Sequence, residues 1–244
     1  MLTKKFISTL ATAALLLAAT VATPARPADK RAKEASAEAV RVSTPLDLAV
    51  LVQDDLVSRV GNELGVTRDF IRNLPTGSRV MVGYLTAGSL QVRQPFTDDL
   101  ERAASALRIP AASDTAAPYN PYVELIEALK KFDAQDKNRN AVLLISDGLD
   151  VSRGFDPTSS LNSVDLRRAV NEAKRRDVAV YTFYAPAVGL TSFNSTAVSY
   201  GQSSLARVAK ETGGEAFFQG TNFVTFDAYF ERLGRALNGA STAY

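Results

Sequence analysis

Two apolar runs that end on acidic residues are the first features of this chain that could do chemistry. The stretch LAVLVQDDLVS, residues 48–58, places Asp54 and Asp55 after the apolar letters and reaches Ser58 three residues later. The stretch AVLLISDGLD ends on Asp147 and Gly148, followed by Asp150. Carboxylates and a hydroxyl at the ends of buried strands need an explanation.

The composition limits what those groups can do. The 244 residues contain no cysteine and no histidine, which excludes disulfides, the usual zinc ligand sets, and serine–histidine or cysteine–histidine catalysis. A net charge of +2 gives no footprint for nucleic acid. Any active chemistry must therefore come from carboxylates, hydroxyls, other oxygen ligands or lysine.

Each of these residues also has a purely structural interpretation. Asp54 and Asp147 can end their strands by accepting backbone N–H bonds from the following turns. Ser58 alone is better explained as the cap of the next helix, and Gly148 as a turn residue with positive φ. Asp150 is expected to be a solvated loop acid.

The elements that must position these residues alternate between strands and helices. Apolar runs without polar alternation are followed by segments with helical spacing, which predicts parallel strands covered on both faces. LQVRQPF follows RVMVGYLT after the tight turn AGS and is predicted to be its antiparallel neighbour at an edge. TDDLERAASAL is predicted to be a helix capped by its threonine. The fold class is α/β, a doubly wound and mainly parallel sheet with one antiparallel edge strand.

In an open parallel sheet, ligands bind beyond the carboxyl ends of the strands. We call this edge, with the loops that leave it, the rim. Besides the two acidic strand ends, it is expected to collect the loops at 111–120, 149–163 and 186–202. Phe193 and Tyr200 in the last loop are candidate contact residues, with packing of their own loop as the alternative.

The order of these stretches carries a resemblance to a known family. LAVLVQDDLVS, FIRNLPTGSRVMVGYLTAGSLQVRQPFTDD, PYVELIEAL and AVLLISDGLD together resemble a von Willebrand factor type A (VWA) domain, in particular forms in exported bacterial proteins. The resemblance covers about residues 45 to 238. It implies a Rossmann-like fold that engages another protein through its rim, in that family through a metal-ion-dependent adhesion site.

The resemblance also implies where a metal would bind. The family's Asp-x-Ser-x-Ser pattern falls on Asp54, Leu56 and Ser58, and its Asp-Gly aspartate on Asp147. The family's threonine falls best on Asn120, with Tyr119 or Thr115 as alternatives. Asp55, Tyr119, Asp150, Phe193 and Tyr200 would then form the surrounding partner-binding rim.

Leu56 is the departure from this pattern, because a hydrocarbon cannot coordinate a cation. The implied cofactor is Mg²⁺ or Mn²⁺ in a weakened site, completed by an acidic group of the partner. Such binding requires Leu56 to turn away from the ion. Without metal, the rim loops themselves would provide the contacts.

The N-terminal residues predict export. Lys4 and Lys5 precede an apolar stretch that ends in small residues, which is typical of a secretory signal peptide. We expect a signal peptide over 1–25, a flexible tether over 26–44, the VWA-like domain over 45–239 and a tail over 240–244. The protein would be secreted or periplasmic, with no stable membrane span after cleavage.

Three function classes follow. The favoured class is an exported protein-binding, adhesion or scaffolding module without enzymatic activity. The alternative is a metal-dependent aspartate phosphotransfer or phosphatase-like enzyme that uses Asp54. A nucleotide binder is disfavoured, because neither G-x-G-x-x-G nor G-x-x-x-x-G-K-[ST] occurs.

Overall fold

The fold is built on one six-stranded sheet. The computed structural model describes residues 42–118, 120–133, 138–155, 163–218 and 225–239. The strands are β1 Leu46–Gln53, β2 Arg79–Thr86, β3 Ser89–Thr97, β4 Arg139–Ser146, β5 Val178–Tyr184 and β6 Ala216–Phe217. The α-helices are α1 Val60–Arg72, α2 Leu100–Ser105, α3 Pro121–Leu129, α4 Val164–Arg175, α5 Ser195–Glu211 and α6 Asp227–Gly239.

The strand order is β3-β2-β1-β4-β5-β6, and every neighbouring pair is parallel except β2 with β3. The predicted fold class, including the antiparallel edge strand, is therefore confirmed. The chain order reverses between β1 and β4, which makes their carboxyl ends the switch point of the sheet.

Side chains of β1 alternate between two cores. Leu48, Val50 and Val52 face a cluster that includes α1, α2 and α6, whereas Ala49 and Leu51 face one that includes α3, α4 and α5. All eight residues of β1 are buried. This burial on both faces explains why the middle of the strand, Leu48–Val52, is apolar at every position.

Local capping sets where the helices begin. Asp99 caps α2 by accepting the N–H of Arg102, so the predicted threonine cap is wrong, because Thr97 is the last residue of β3. Pro121 begins α3 behind Asn120, whose side chain accepts the N–H of Tyr122. Helix α3 leads into the parallel strand β4 and therefore begins at the rim, which the Asn120 cap helps to shape. Helix α2 follows the antiparallel β3, so its Asp99 cap lies at the opposite edge.

The described chain begins at Val42, which is already buried in the core. The backbone N–H and the hydroxyl of Ser43 both donate to Asn238, at 2.8 Å and 3.0 Å. The predicted signal peptide, nearly all of the tether and the tail lie outside the described residues. Across the described ranges, no helix is both long and apolar enough to cross a membrane.

Candidate binding rim

The switch point brings both acidic strand ends to one edge. Val52 pairs with Ile145 in the register between β1 and β4, so Asp54 and Asp147 follow their strands side by side. Segment 54–58 is then joined to a loop on each side. Ala112 donates its N–H to the carbonyl oxygen of Asp54 at 3.1 Å, and Val188 donates to that of Asp55 at 3.0 Å.

The side chain of Asp54 is bound by an arginine. Nη1 and Nη2 of Arg108 donate to its two carboxylate oxygens at 2.6 Å and 2.7 Å, and the N–H of Ala111 donates at 2.9 Å. Burial alone would raise the pKa of Asp54, but the bonds from Arg108 and Ala111 outweigh burial and lower it. Asp54 is therefore a carboxylate paired with a cation from its own chain.

Tyr84 contacts both the side chain and the backbone of Arg108. The Arg108 guanidinium carbon lies 4.2 Å from the centre of the Tyr84 ring, a cation–π distance. The Tyr84 hydroxyl donates to the carbonyl oxygen of Arg108 and accepts its N–H, both at 2.6 Å. The loop after α2 is therefore held by its backbone as well as by the ion pair.

The neighbouring carboxyl of Asp55 is bound by Gln53 of β1. It accepts a hydrogen bond from the Gln53 amide nitrogen at 2.8 Å. The amide oxygen of Gln53 accepts the Ser146 hydroxyl at 2.5 Å and the N–H of Asp147 at 3.2 Å. Gln53 thus bridges the ends of β1 and β4 and links the two acids.

Asp147 is itself enclosed. One carboxylate oxygen accepts the N–H of Leu149 at 3.1 Å, and the other accepts the Thr191 hydroxyl at 2.9 Å. Burial raises the pKa of Asp147. Burial, followed by the charge of Asp147, also raises the pKa of Asp55 to about 7. These two neighbouring acids therefore resist being ionised together.

A third buried acid interacts electrostatically with Asp55. Glu124 of α3 is only 3% exposed, and burial raises its pKa to about 9, with Glu127 and Asp55 as smaller causes. One of its carboxyl oxygens has no hydrogen-bond partner, and neither does the hydroxyl of buried Tyr184. The pKa of Tyr184 is raised by burial and by Asp147. The inner part of the rim is therefore acidic and buried, and burial favours the protonated forms of its carboxyl groups.

The residues at the remaining implied ligand positions are buried in the core, exposed or bound to other groups. Leu56 is fully buried in the core, and its backbone bridges to Ala187. Ser58 is exposed, and α1 begins behind Arg59 with no side-chain cap, so interpreting Ser58 as a cap is wrong. Asn120 caps α3 with its amide oxygen and donates its amide N–H to Asp165 at 3.0 Å.

The predicted contact residues differ in their exposure and in their contacts. Phe193 is 77% exposed. The ring of Tyr200, on α5, lies 6.0 Å from that of Phe155, so it packs against the loop after β4 rather than its own. Asp150 accepts hydroxyl bonds from Ser152 and Ser163 at 2.7 Å and 2.8 Å. Asp55 is only 4% exposed, and Tyr119 lies outside the described residues.

Comparisons with known proteins agree with this architecture at the level of the fold. No protein-family model and no curated protein matches the chain. Among solved structures, an aerotolerance-related membrane protein from Bacteroides fragilis NCTC 9343 is similar, with a TM-score of 0.52 and 13% identity over 81% of this chain and 100% of that chain. The conserved hypothetical protein BatB from Bacteroides thetaiotaomicron gives a TM-score of 0.53 and 13% identity over 82% and 100%.

The VWA domain of SpRpn10 is also similar, at 10% identity over 75% of this chain and 93% of that chain, but its TM-score of 0.47 is too low to add weight. The strand order and the antiparallel β2–β3 hairpin agree with the fold of the family that the sequence resembles. The fold is VWA-like. At these identities the likeness concerns the fold alone.

Within this VWA-like fold, the described side chains do not fit a divalent ion. The carboxylate of Asp54 is bound by Arg108 and Ala111, Leu56 is in the core, and both oxygens of Asp147 accept hydrogen bonds. No group of three or more potential histidine, cysteine, aspartate or glutamate ligands occurs in the part of the chain that the structure describes.

Three residues of the VWA-like rim were not singled out from the sequence. Gln53 stands at the end of β1, where an amide in an apolar strand could have signalled a bridge to the next strand. Arg108 and Thr191 lie in loops, at sequence separations of 54 and 44 from the acids they bind. No local sequence pattern predicts contacts between residues so far apart.

Proposed function

We propose that this chain is a protein-binding module whose contact surface is the rim of the VWA-like fold. The observation that supports this is the distribution of exposed apolar residues. Across the described ranges, the exposed large hydrophobic residues are Ile109, Val123, Val164 and Phe193, with exposures of 60%, 42%, 37% and 77%. All four lie on rim loops or in first helical turns at the rim.

The two most exposed of these residues flank the segment after β1. Ile109 belongs to the loop whose Ala111 and Ala112 bond to Asp54. Phe193 belongs to the loop that bonds to Asp55 and Val57 through Val188 and Pro186. Two apolar side chains on well-anchored loops can be buried by a partner with little loss of backbone entropy. A partner that offers apolar side chains suits this surface.

A metal-independent contact fits these residues better than one completed by Mg²⁺ or Mn²⁺. The apolar side chains need no cation, and Asp54 already has one in Arg108. In the metal-dependent version, a partner carboxylate would complete the shell around an ion. Calorimetric titration of both metals into the protein separates the two versions, and tight binding of either metal would favour the second.

The phosphotransfer alternative requires a carboxylate oxygen of Asp54 that is free to attack a phosphorus atom. Here both oxygens accept charge-assisted bonds from Arg108, and the residue is 4% exposed. These contacts lower the nucleophilicity and accessibility of the group. We therefore propose a binding function rather than an enzymatic one.

Export from the cytoplasm is part of the proposal. It is supported by the signal-like sequence at residues 1–25, and one similar structure is that of a protein described as a membrane protein. Cell fractionation and N-terminal sequencing of the mature protein test it. A mature N-terminus near Arg26 in an envelope or medium fraction is expected, whereas an intact Met1 in the cytoplasm would contradict export.

Site-specific photo-crosslinking tests the contact surface. A photoreactive phenylalanine analogue replaces Phe193 in one variant and Thr76 in the other, and both are expressed in the native cells. Thr76 is exposed in the loop before β2, at the edge opposite the rim. We expect a discrete adduct from position 193 only, weakened by Ile109→Ser. Equal adducts from both positions, or an adduct insensitive to Ile109→Ser, would argue against the rim.

A further inference from the structure

We propose that the Arg108 guanidinium is the resident cation of the rim. It binds the carboxylate of Asp54, to which the family resemblance assigns a divalent ion. By doing so, it positions the loop that carries Ile109. Arg108 is a positioning residue, since it acts on the contact surface through Asp54 and its own loop. What the positioned loop contacts rests on the proposed function.

The charges at this point balance within the chain. The Asp54 side chain is 6% exposed and that of Arg108 is 34% exposed, so the carboxylate is buried while part of the arginine reaches the surface. A buried carboxylate needs a cation or several donors. The two parallel bonds from Arg108 satisfy this need and fix the orientation of the guanidinium plane.

The same residue pair fastens the loop through its backbone. Asp54 accepts the N–H of Ala111 with its side chain and the N–H of Ala112 with its carbonyl oxygen. Its own N–H donates to Leu85 of β2 at 2.9 Å. Nη1 of Arg108 also donates to the carbonyl oxygen of Ile109 at 3.1 Å. The loop is thereby tied to the ends of both β1 and β2.

This arrangement places Ile109 at the surface in one position. A Cβ atom built on Gly61, in the first turn of α1, would lie 3.0 Å from a methyl carbon of Ile109. The absence of a side chain at Gly61 therefore gives Ile109 room to lie against the helix. The side chain remains 60% exposed. An apolar contact residue is thus held at the rim by a bound cation.

An attached cation differs from a metal ion in a measurable way. The guanidinium does not dissociate from the chain and remains protonated at every physiological pH. A rim built on Arg108 should therefore hold its loop equally well in a chelator and in millimolar Mg²⁺. A rim built on a divalent ion should loosen when the ion is removed.

Hydrogen exchange of the Ala111 and Ala112 amides, measured by NMR, tests this proposal. For the unmodified protein, we expect the same protection in EDTA and in millimolar Mg²⁺ or Mn²⁺. Arg108→Ala should reduce protection at both amides about tenfold or more, the change expected when a contact worth about 1.4 kcal/mol is lost from a locally opening segment. Arg108→Lys should retain more protection than Arg108→Ala, because lysine keeps the positive charge although it cannot make the two parallel hydrogen bonds of the guanidinium.

Arg68→Ala is the matched control. Arg68 also anchors this region, by donating to the carbonyl oxygen of Leu107 at 2.9 Å, but it does not pair with Asp54. Its loss should leave the Ala111 and Ala112 amides protected. If Arg68→Ala and Arg108→Ala reduce protection equally, the effect is general loosening and the proposal fails.

Two further outcomes would overturn the proposal. One is loss of protection in the unmodified protein on adding EDTA, a test that needs no destabilised variant. The other is unchanged protection in Arg108→Ala. The exchange measurement involves no partner, so it stands or falls separately from the crosslinking test of the proposed function.

Discussion

Arg108 donates two parallel hydrogen bonds to the carboxylate of Asp54, although the residues are 54 positions apart in the chain. The pair joins the end of the first strand to the loop after α2. Since the sequence resemblance implies a metal ligand at Asp54, the pair changes how this rim is expected to work. Its energetic consequences can be measured on the isolated protein.

Removing either partner should destabilise the fold. We expect Arg108→Ala to lower the free energy of unfolding by about 2 kcal/mol, less than the roughly 3–5 kcal/mol seen when a fully buried pair is broken, because part of Arg108 is exposed. Asp54→Asn should cost a similar amount. Urea denaturation of both single variants and of the double variant measures their coupling. Additive losses would show that the two side chains do not act as a pair.

The buried acids should make stability depend on pH. Burial and the neighbouring Asp147 raise the pKa of Asp55 in the fold from 3.8 to about 7. Between these values the folded state binds more protons than the unfolded chain, so stability should fall as the pH rises from about 4 to about 7. Asp55→Asn should remove the share of this fall that Asp55 contributes, with Glu124 and Asp147 supplying the rest, and should stabilise the protein above pH 7.

Thermal melts across that pH range measure the effect. Asp98→Asn is a suitable control, because Asp98 is exposed and follows β3 at the edge away from the rim. The control should follow the unmodified protein. A pH profile that Asp55→Asn leaves unchanged would mean that Asp55 does not titrate in this range.

A close backbone approach should make Gly201 intolerant of substitution. A Cβ atom at Gly201 would lie 2.0 Å from the carbonyl oxygen of Asp147, which no side chain can accommodate without moving α5 away from β4. We expect Gly201→Ala to cost more than about 2 kcal/mol, in the range of severe overpacking. Gly65→Ala, within α1 and with no atom inside 4 Å, should instead stabilise by about 0.5–1 kcal/mol. Urea denaturation compares the two, and equal effects would contradict the close approach.

Periodicity and composition were sufficient for the architecture. The apolar runs Leu48–Val52 in β1 and Ala141–Ile145 in β4 predict strands buried on both faces, and parallel strands with helical crossovers leave few possible topologies. The antiparallel β3 could be predicted because AGS is too short for a parallel crossover. These features depend on residues that are close together in sequence.

The internal organisation of the rim was less accessible, because it depends on distant residues. The sequence indicated that Asp54, Asp55 and Asp147 would lie at one edge, but not that Arg108 would bind the first of them while Gln53 connects the other two. A register pattern places a strand end; it does not say which of several loop side chains will reach it. Ser58 illustrates the same limit, since the helix begins one residue later than a cap at Ser58 implies, and Arg59 stands at the cap position.

Leu56 decides whether one substitution could create a metal site. If the rim lacked only a single ligand, Leu56→Ser should create or tighten binding of Mg²⁺ or Mn²⁺. The structure gives a different expectation, because Leu56 is fully buried among core residues and Arg108 already holds Asp54. We expect Leu56→Ser to lower the free energy of unfolding by about 2–5 kcal/mol, as other buried leucine truncations do, without a gain in metal affinity.

Calorimetric titration of both metals, together with thermal melts in EDTA and in millimolar Mg²⁺, measures this outcome. Leu56→Ala serves as the control, because it removes the same hydrocarbon without adding a hydroxyl. Both variants should melt lower than the unmodified protein, and neither should respond to metal. If Mg²⁺ raises the melting temperature of Leu56→Ser but not that of Leu56→Ala, the new hydroxyl coordinates the cation. The cation would then have displaced Arg108 from Asp54.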